Sequence, residues 1–262
     1  MFRGPRNGPL KKRKIAKLKK RRSIDENSRY KVWLHFDARY DVVPIRRSAG
    51  FKRFAEMLLL AFITLLSLSR SMKWKDGKER CLWANPKNEL YVRYHDEEWG
   101  APVYDDHKLF EMLILECFQA GLSWECVLNK RETFRKAFDG FDLKKVCSYD
   151  EGKLESLKKN PGIIRNRLKI EASVTNARVF RSIQKEFGSF SSYLWGWSDN
   201  KTIYENDKTS SPLSDAISKD LKKRGMKFVG TTVIYAYLQA VGVINSHQDD
   251  CFLFPGNHEF VN

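Results

Sequence analysis

The chain has 262 residues, 42% of them hydrophobic, enough for a substantial core in one domain or two. Its formal charge is +16, but residues 1–71 hold 19 Lys+Arg against 5 Asp+Glu, and the remainder carries 29 against 27. A near-neutral body excludes a bulk-charge argument for nucleic-acid binding, so any such claim has to rest on particular residues.

Residues 1–24 contain Lys11-Lys12-Arg13-Lys14 and Lys19-Lys20-Arg21-Arg22, like-charge blocks that cannot bury themselves and are expected to be disordered. Residues 57–69 form an apolar run shorter than the roughly twenty residues a spanning helix needs. It also lies too far from the N-terminus for a signal peptide. Membrane contact there is not expected, although a tethering or targeting segment stays open. The globular pattern begins at Met72. The expected organisation is therefore a basic extension, 1–71, without catalytic function and not necessarily part of the native protein, followed by a folded body, 72–262.

Within the body the helical signals run in order. Asp106 can cap a helix through Leu109, Phe110, Leu113, Ile114 and Cys117 that ends near Gly121. Ser123 can cap the next, with Val127, Leu128, Phe134 and Phe138 inward and Gly140 closing it. From Asn166 to Phe187 the apolar positions Ile170, Val174, Ala177, Phe180, Ile183 and Phe187 recur at helical spacing. Pro212 and Ser214 start a helix ending at Gly225, and Thr231 to Val241 forms a last one stopped by Gly242. No stretch alternates as a strand, so the body is expected to be all-α.

The stretch 91–124 carries the chemistry. Tyr94 and His95 are adjacent, Trp99 follows, and Glu116 interrupts the apolar run Met112-Leu113-Ile114-Leu115-Glu116-Cys117-Phe118 before Gly121-Leu122-Ser123-Trp124. Burying a lone carboxylate is expensive unless it has partners or a ligand. The aromatic rings on both sides suggest a flat, cationic one.

Five dispersed cysteines suit a reducing compartment better than a disulfide framework. Cys117, Cys126 and Cys147 read as small buried hydrophobes. Cys81 and His95 near the start of the body, and His247 and Cys251 near its end, form a Cys₂His₂ set suited to a structural zinc. The His-x3-Cys pair is expected on one face of a helical turn, and spacing alone leaves coincidence open. His35, His107 and His258 have no such partners. Between the last two helices, Lys222-Lys223-Arg224-Gly225-Met226-Lys227-Phe228-Val229-Gly230-Thr231 allows a tight hairpin whose amides and lysines could meet a DNA phosphate. A plain helix-turn-helix link is the alternative. Pro161-Gly162-Ile163-Ile164-Arg165-Asn166-Arg167 is a weaker phosphate candidate.

These residues together resemble the DNA-3-methyladenine glycosylase I branch of the helix–hairpin–helix DNA glycosylases. The resemblance spans about Glu79 to Phe254 through RCLW, YHDEEWG, KLFEM, LECFQAGLSW, PGIIRNR, SDAISKDLKKRGMKFVGTT and INSHQDDC. It implies a helix–hairpin–helix glycosylase fold with a structural zinc on Cys81, His95, His247 and Cys251 joining the ends of the domain. It implies a base pocket on Tyr94, Glu116 and Trp124, with Trp83 and Trp99 in the lining, and Glu116 as the catalytic carboxylate. DNA contacts are expected from Gly225, Lys227, Gly230, Thr231 and Arg165, with Leu122 filling the gap left by the extruded base. Asn245 stands where many superfamily members carry an aspartate, so no strong general base is expected. No Schiff-base lysine is evident, so a monofunctional enzyme is expected. The implied substrate is double-stranded DNA containing alkylated bases. The implied setting is cytoplasmic, of bacterial type and nucleoid-associated through DNA, with a monomer and no obligate protein partner. A non-catalytic DNA- or modified-nucleotide-binding module on the same fold is the alternative, and a membrane-attached regulatory protein a more remote one.

Overall fold

Asn88 opens helix α1 (Glu89–Glu97), its side chain accepting the Tyr91 N–H. The computed structural model from which this is read describes residues 74–254 and 256. The basic extension, the apolar run 57–69, Met72, His35 and His258 lie outside the described residues. No described helix is long and apolar enough to cross a membrane.

The second helix, α2 (Asp106–Gln119), is buried at every residue from Leu109 to Phe118. A helix buried on all faces has to be wrapped by others, and this one is. Its start differs from expectation. Asp105, in extended backbone, takes the Lys108 N–H as the cap, and Asp106 is the first helical residue. Asp106 is thereby free to accept the N–H groups of Phe190 and Ser191, each at 2.8 Å, and so caps a distant helix.

Ser123 caps α3 (Trp124–Leu128), but the expected continuous helix breaks at Asn129 and Lys130 and resumes as α4 (Arg131–Ala137). Two short helices, α5 (Leu143–Cys147) and α6 (Glu151–Lys159), each open on an aspartate cap, Asp142 and Asp150. Asn166 caps the longest helix, α7 (Arg167–Phe187). The helix that Asp106 serves is α8 (Phe190–Gly196). Phe190 stacks on Phe180 with ring centroids 3.9 Å apart, which locks α8 to α7. The chain then runs through β1 (Ile203–Tyr204), α9 (Pro212–Lys223), α10 (Thr231–Ala240) and β2 (Ile244–Asn245).

The body is thus mostly helical, with one correction. β1 and β2 form a two-stranded parallel pair, Ile203 opposite Ile244. Strands of two residues are too short to show an alternating pattern, and so they leave no sequence signal.

Gly242 ends α10 at φ +73, and a Cβ there would lie 2.4 Å from the Ala101 carbonyl carbon. Both the backbone conformation and the space therefore require glycine. Gly242→Ala is expected to lower stability by roughly 2 kcal/mol or more, read from urea unfolding midpoints.

Candidate functional site

Helix α2 carries two buried carboxylates with opposite fates. Glu111 accepts from Arg131 at 2.6 Å and from Arg135 at 2.8 Å. Burial pushes its pKa up, but Arg131, Lys108 and Arg135 together outweigh that and hold it below the usual glutamate range. Glu116 has no such partner. Its Oε2 is fully enclosed without a hydrogen bond among the described residues, and burial alone pushes its pKa up to about 8. Burial thus favours the protonated form of this carboxyl.

Glu116 lies on a cleft of about 280 Å³ that Trp83, Tyr94, Trp99 and Trp124 also line. Tyr94, on α1, and Trp124, at the start of α3, have ring centroids 5.1 Å apart at 43°. Trp83 packs edge-on against Trp99 at 4.9 Å. The Trp124 indole N–H is likewise enclosed and has no partner among the described residues. A buried donor and a buried acceptor both left unpaired on one cleft form the kind of deficit a bound ligand fills.

The structure adds lining residues that the sequence did not single out. Tyr91 stands three residues before Tyr94 on α1, and helical spacing could have revealed it. Gln119, Gln239, Ser246 and Gln248 form a polar rim, with Asn206 and Asp207 from the loop after β1. That loop left no signal in the sequence. Asn245 uses its side-chain oxygen to accept the His247 N–H.

Cys81, His95, His247 and Cys251 are all buried, with their ligand atoms within 4.8 Å of one another. Cys81 Sγ is 3.5 Å from His247 Nδ1, and Cys251 Sγ is 3.5 Å from His95 Nε2 and 3.4 Å from His247 Nδ1. A tetrahedral zinc with ordinary Zn–S and Zn–N bonds needs S···N edges of about 3.5 Å, so the donor set fits that ion. The other ring nitrogens are also held. His95 Nδ1 meets Asp96 at 2.8 Å, with Arg80 behind it, and His247 Nε2 meets the Trp99 carbonyl at 3.1 Å. Such outer contacts fix the tautomer of a metal-binding histidine. His247 and Cys251 do not share a helical turn as expected. A loop with a tight turn, Cys251 N–H to Gln248 C=O at 2.8 Å, brings them together instead. Cys126 is only half-buried, unlike Cys117 and Cys147, and the exposed His107 bonds the Gly140 carbonyl.

Between α9 and α10 the chain makes a tight turn. Gly225 has φ +102, Ser218 donates to the Val229 carbonyl at 2.7 Å, and the Ser214 and Thr231 hydroxyls meet at 2.9 Å. A Cβ on Gly230 would meet nothing among the described residues within 4 Å, so their packing does not require glycine there. Lys227 is exposed at the tip, whereas Arg224 is tied to Glu186 and Asp220. Arg165 is exposed ahead of α7, but Gly162 has a packing reason, since a Cβ would lie 2.2 Å from Thr133. Leu122 is 43% exposed on the loop between α2 and α3.

The fold is similar to a crystal structure described as 3-methyladenine DNA glycosylase I, with TM-score 0.65 and 44% identity over 68% of this chain and all of that one. It is also similar to a tyrosine-to-phenylalanine variant of 3-methyladenine DNA glycosylase I in complex with 3-methyladenine, with TM-score 0.62 and 34% identity over 66% of this chain and 95% of that one. Helical fold and aromatic cleft together mark the chain, by class, as a DNA glycosylase. DNA-3-methyladenine glycosylase 1 of Escherichia coli (strain K12) is 45% identical over 185 residues, 68% of this chain and 98% of its own length. Residues 83–254 match the model of the methyladenine glycosylase family, and the chain belongs to that family.

Proposed function

We propose that this protein hydrolyses the N-glycosidic bond of 3-methyladenine in alkylated duplex DNA, the first step of base excision repair, with the extruded base held in the Glu116 cleft. The observation that carries this is the enclosed, unpaired Glu116 carboxyl beside Tyr94 and Trp124. Adenine methylated at N3 within DNA is a cation and already a good leaving group. Its charge favours ionised Glu116, which reverses the effect of burial on that carboxyl. Trp124 stacks on the base, a cation over tryptophan gaining on the order of 1–2 kcal/mol. Neutral bases would leave Glu116 protonated and gain neither interaction, so recognition should be narrow. One solved relative carries a glutamate-to-glutamine change and another the tyrosine change noted above; their altered positions have the same separation as Tyr94 and Glu116.

Base extrusion costs a few kcal/mol, least for a damaged base. In this reading Leu122 fills the gap. The α9–α10 turn acts as a helix–hairpin–helix motif in which Gly225, Lys227, Gly230 and Thr231 meet the phosphates, with Arg165 as an outlying contact. No strong general base is needed, because Asn245 is neutral and the leaving group is activated. The enzyme is monofunctional, and nothing in its mechanism calls for a second subunit. Cys81, His95, His247 and Cys251 hold a structural zinc, whose only contribution is to cross-link the ends of the domain; a closed four-ligand set leaves no position for substrate.

The test is release of 3-methyladenine from methylated duplex DNA by the full chain, measured by chromatography; no release above an enzyme-free control overturns the proposal. Lys227→Gln is expected to weaken DNA binding without changing base preference, and to reduce the slope of log affinity against log salt by about 1. Titrating binding at several salt concentrations checks this.

A further inference from the structure

Helix α7 buries three polar side chains, Lys169, Ser173 and Asn176. Ser173 donates within the helix to the Lys169 carbonyl, whereas the other two each grip main chain belonging to a different loop. Lys169, in the first turn, is 7% exposed and donates to the Phe118 carbonyl at 2.8 Å and the Ala120 carbonyl at 2.5 Å. These carbonyls end α2, whose own last turn has no basic residue. The chain beyond them turns through Gly121, at φ +81, into Leu122. Asn176, two turns further along α7 and fully buried, donates to the Lys227 carbonyl at 2.9 Å and accepts the Lys227 N–H at 2.8 Å. Lys227 is the tip of the α9–α10 turn. Cys117 of α2 lies between the two grips, its Sγ 3.6 Å from Asn176 Nδ2.

Lys169 Nζ meets, besides those carbonyls, only the Phe228 ring among the described residues, 5.8 Å from its centroid. Burying an ammonium without a carboxylate partner is costly, and burial lowers the Lys169 pKa from the usual lysine value. An apolar residue would pack the same helix face without that cost. What the polar pair adds is a fixed distance between the loop that carries Leu122 and the turn that carries Lys227. Both grips are on main chain, so they set loop position and do not depend on the loops' side chains.

We propose that Lys169 and Asn176 are positioning residues that hold the Gly121–Leu122 loop and the 225–230 turn in register, so that grip on the DNA backbone and extrusion of the base occur at one fixed separation. This rests on the reading above, in which both loops face DNA. Misplacing such elements by about 1 Å can cost up to 10²-fold in rate even when the reacting groups are untouched.

The experiment compares full-length wild type, Lys169→Met and Lys169→Arg in three assays. These are release of 3-methyladenine from methylated duplex, affinity for free 3-methyladenine by tryptophan fluorescence, and amide hydrogen exchange. Lys169→Met is expected to lower kcat/KM on duplex by about 30-fold or more, within the range that misplacement allows. Its affinity for the free base should stay within about twofold, because the pocket residues are retained. Exchange in residues 120–123 should quicken about tenfold as the capping bonds are lost. Lys169→Arg, which keeps the charge and the donors, should recover most of the activity. Adding Leu122→Ala to Lys169→Met should cost little beyond the larger single loss, since both act through one loop. Duplex activity near wild type, or activity and free-base affinity falling in parallel, overturns the proposal. Should Lys169→Met fail to fold, Lys169→Gln, which keeps a donor, is read in the same way. Inactive wild type would refute the glycosylase reading instead, while unchanged exchange at 120–123 would refute the brace by itself.

Discussion

Glu116→Gln is expected to reduce release of 3-methyladenine from alkylated duplex by about 10²-fold or more, because a neutral amide cannot balance the cation. The same change is expected to stabilise the free protein. The folded-state pKa is raised to about 8, above the ordinary glutamate value of 4.5, so between those values the folded chain holds a proton that the unfolded chain has released. Stability is therefore undiminished below pH 4.5 and falls as pH rises through that window. At pH 8 the glutamine variant should exceed wild type by a few kcal/mol, on the order of 1.4 kcal/mol for each pH step of one across the window, and at pH 4.5 the two should coincide. Paired thermal melts at the two pH values decide it. A constant difference across that range would mean that Glu116 is already ionised in the empty protein, and retained activity would remove it from the pocket chemistry.

Cys251→Ser is expected to abolish stoichiometric zinc and to lower stability by roughly 3 kcal/mol or more, which corresponds to about 10 °C in a domain of this size. The mechanism is loss of a cross-link. Cys81 and Cys251 stand at opposite ends of the described body, and their side chains share one buried site with His95 and His247. Removing one ligand leaves a poor site, and the turn around Gln248 loses its anchor. Metal analysis by mass spectrometry together with a melt checks both parts. Full zinc content in the variant would rule out the four-ligand set. A chelator should reproduce the melt of Cys251→Ser in wild type and leave the melt of the variant unchanged.

What the sequence made legible depended on how locally each signal was written. The spacing of Ile170, Val174, Ala177, Phe180 and Ile183 is a property of one helix, and α7 runs to Phe187 as expected, with Asn166 as its cap. A carboxylate inside an apolar run is also local, and it drew attention to Glu116. Yet the same helix holds Glu111, equally buried, whose partner Arg131 comes from α4. One sequence does not say which of two buried acids is paired, because the answer lies in packing between helices. Asp105 and Asp106 pose the same difficulty: either can cap α2, and the choice follows from a second helix start at Phe190 that only the tertiary fold brings near. The turn that gathers His247 and Cys251, and the placing of Asn206 on the cleft, are set by loops without periodicity. Lys169 was invisible for another reason: on a helical wheel it is one more lysine beside an apolar stripe, and only the carbonyls at the end of α2 give it a role.

The cleft takes walls from Trp83 and Gln248, close to the two extremes of the domain. During synthesis the Glu116 helix leaves the ribosome more than a hundred residues before that second wall exists. Until then the acid lacks part of the wall that surrounds it, and contact with water favours its ionised form. Ser246 and Gln248 complete the lining of the cleft on which the acid lies. The cleft is therefore complete only late in translation, once residues from both extremes of the domain are present.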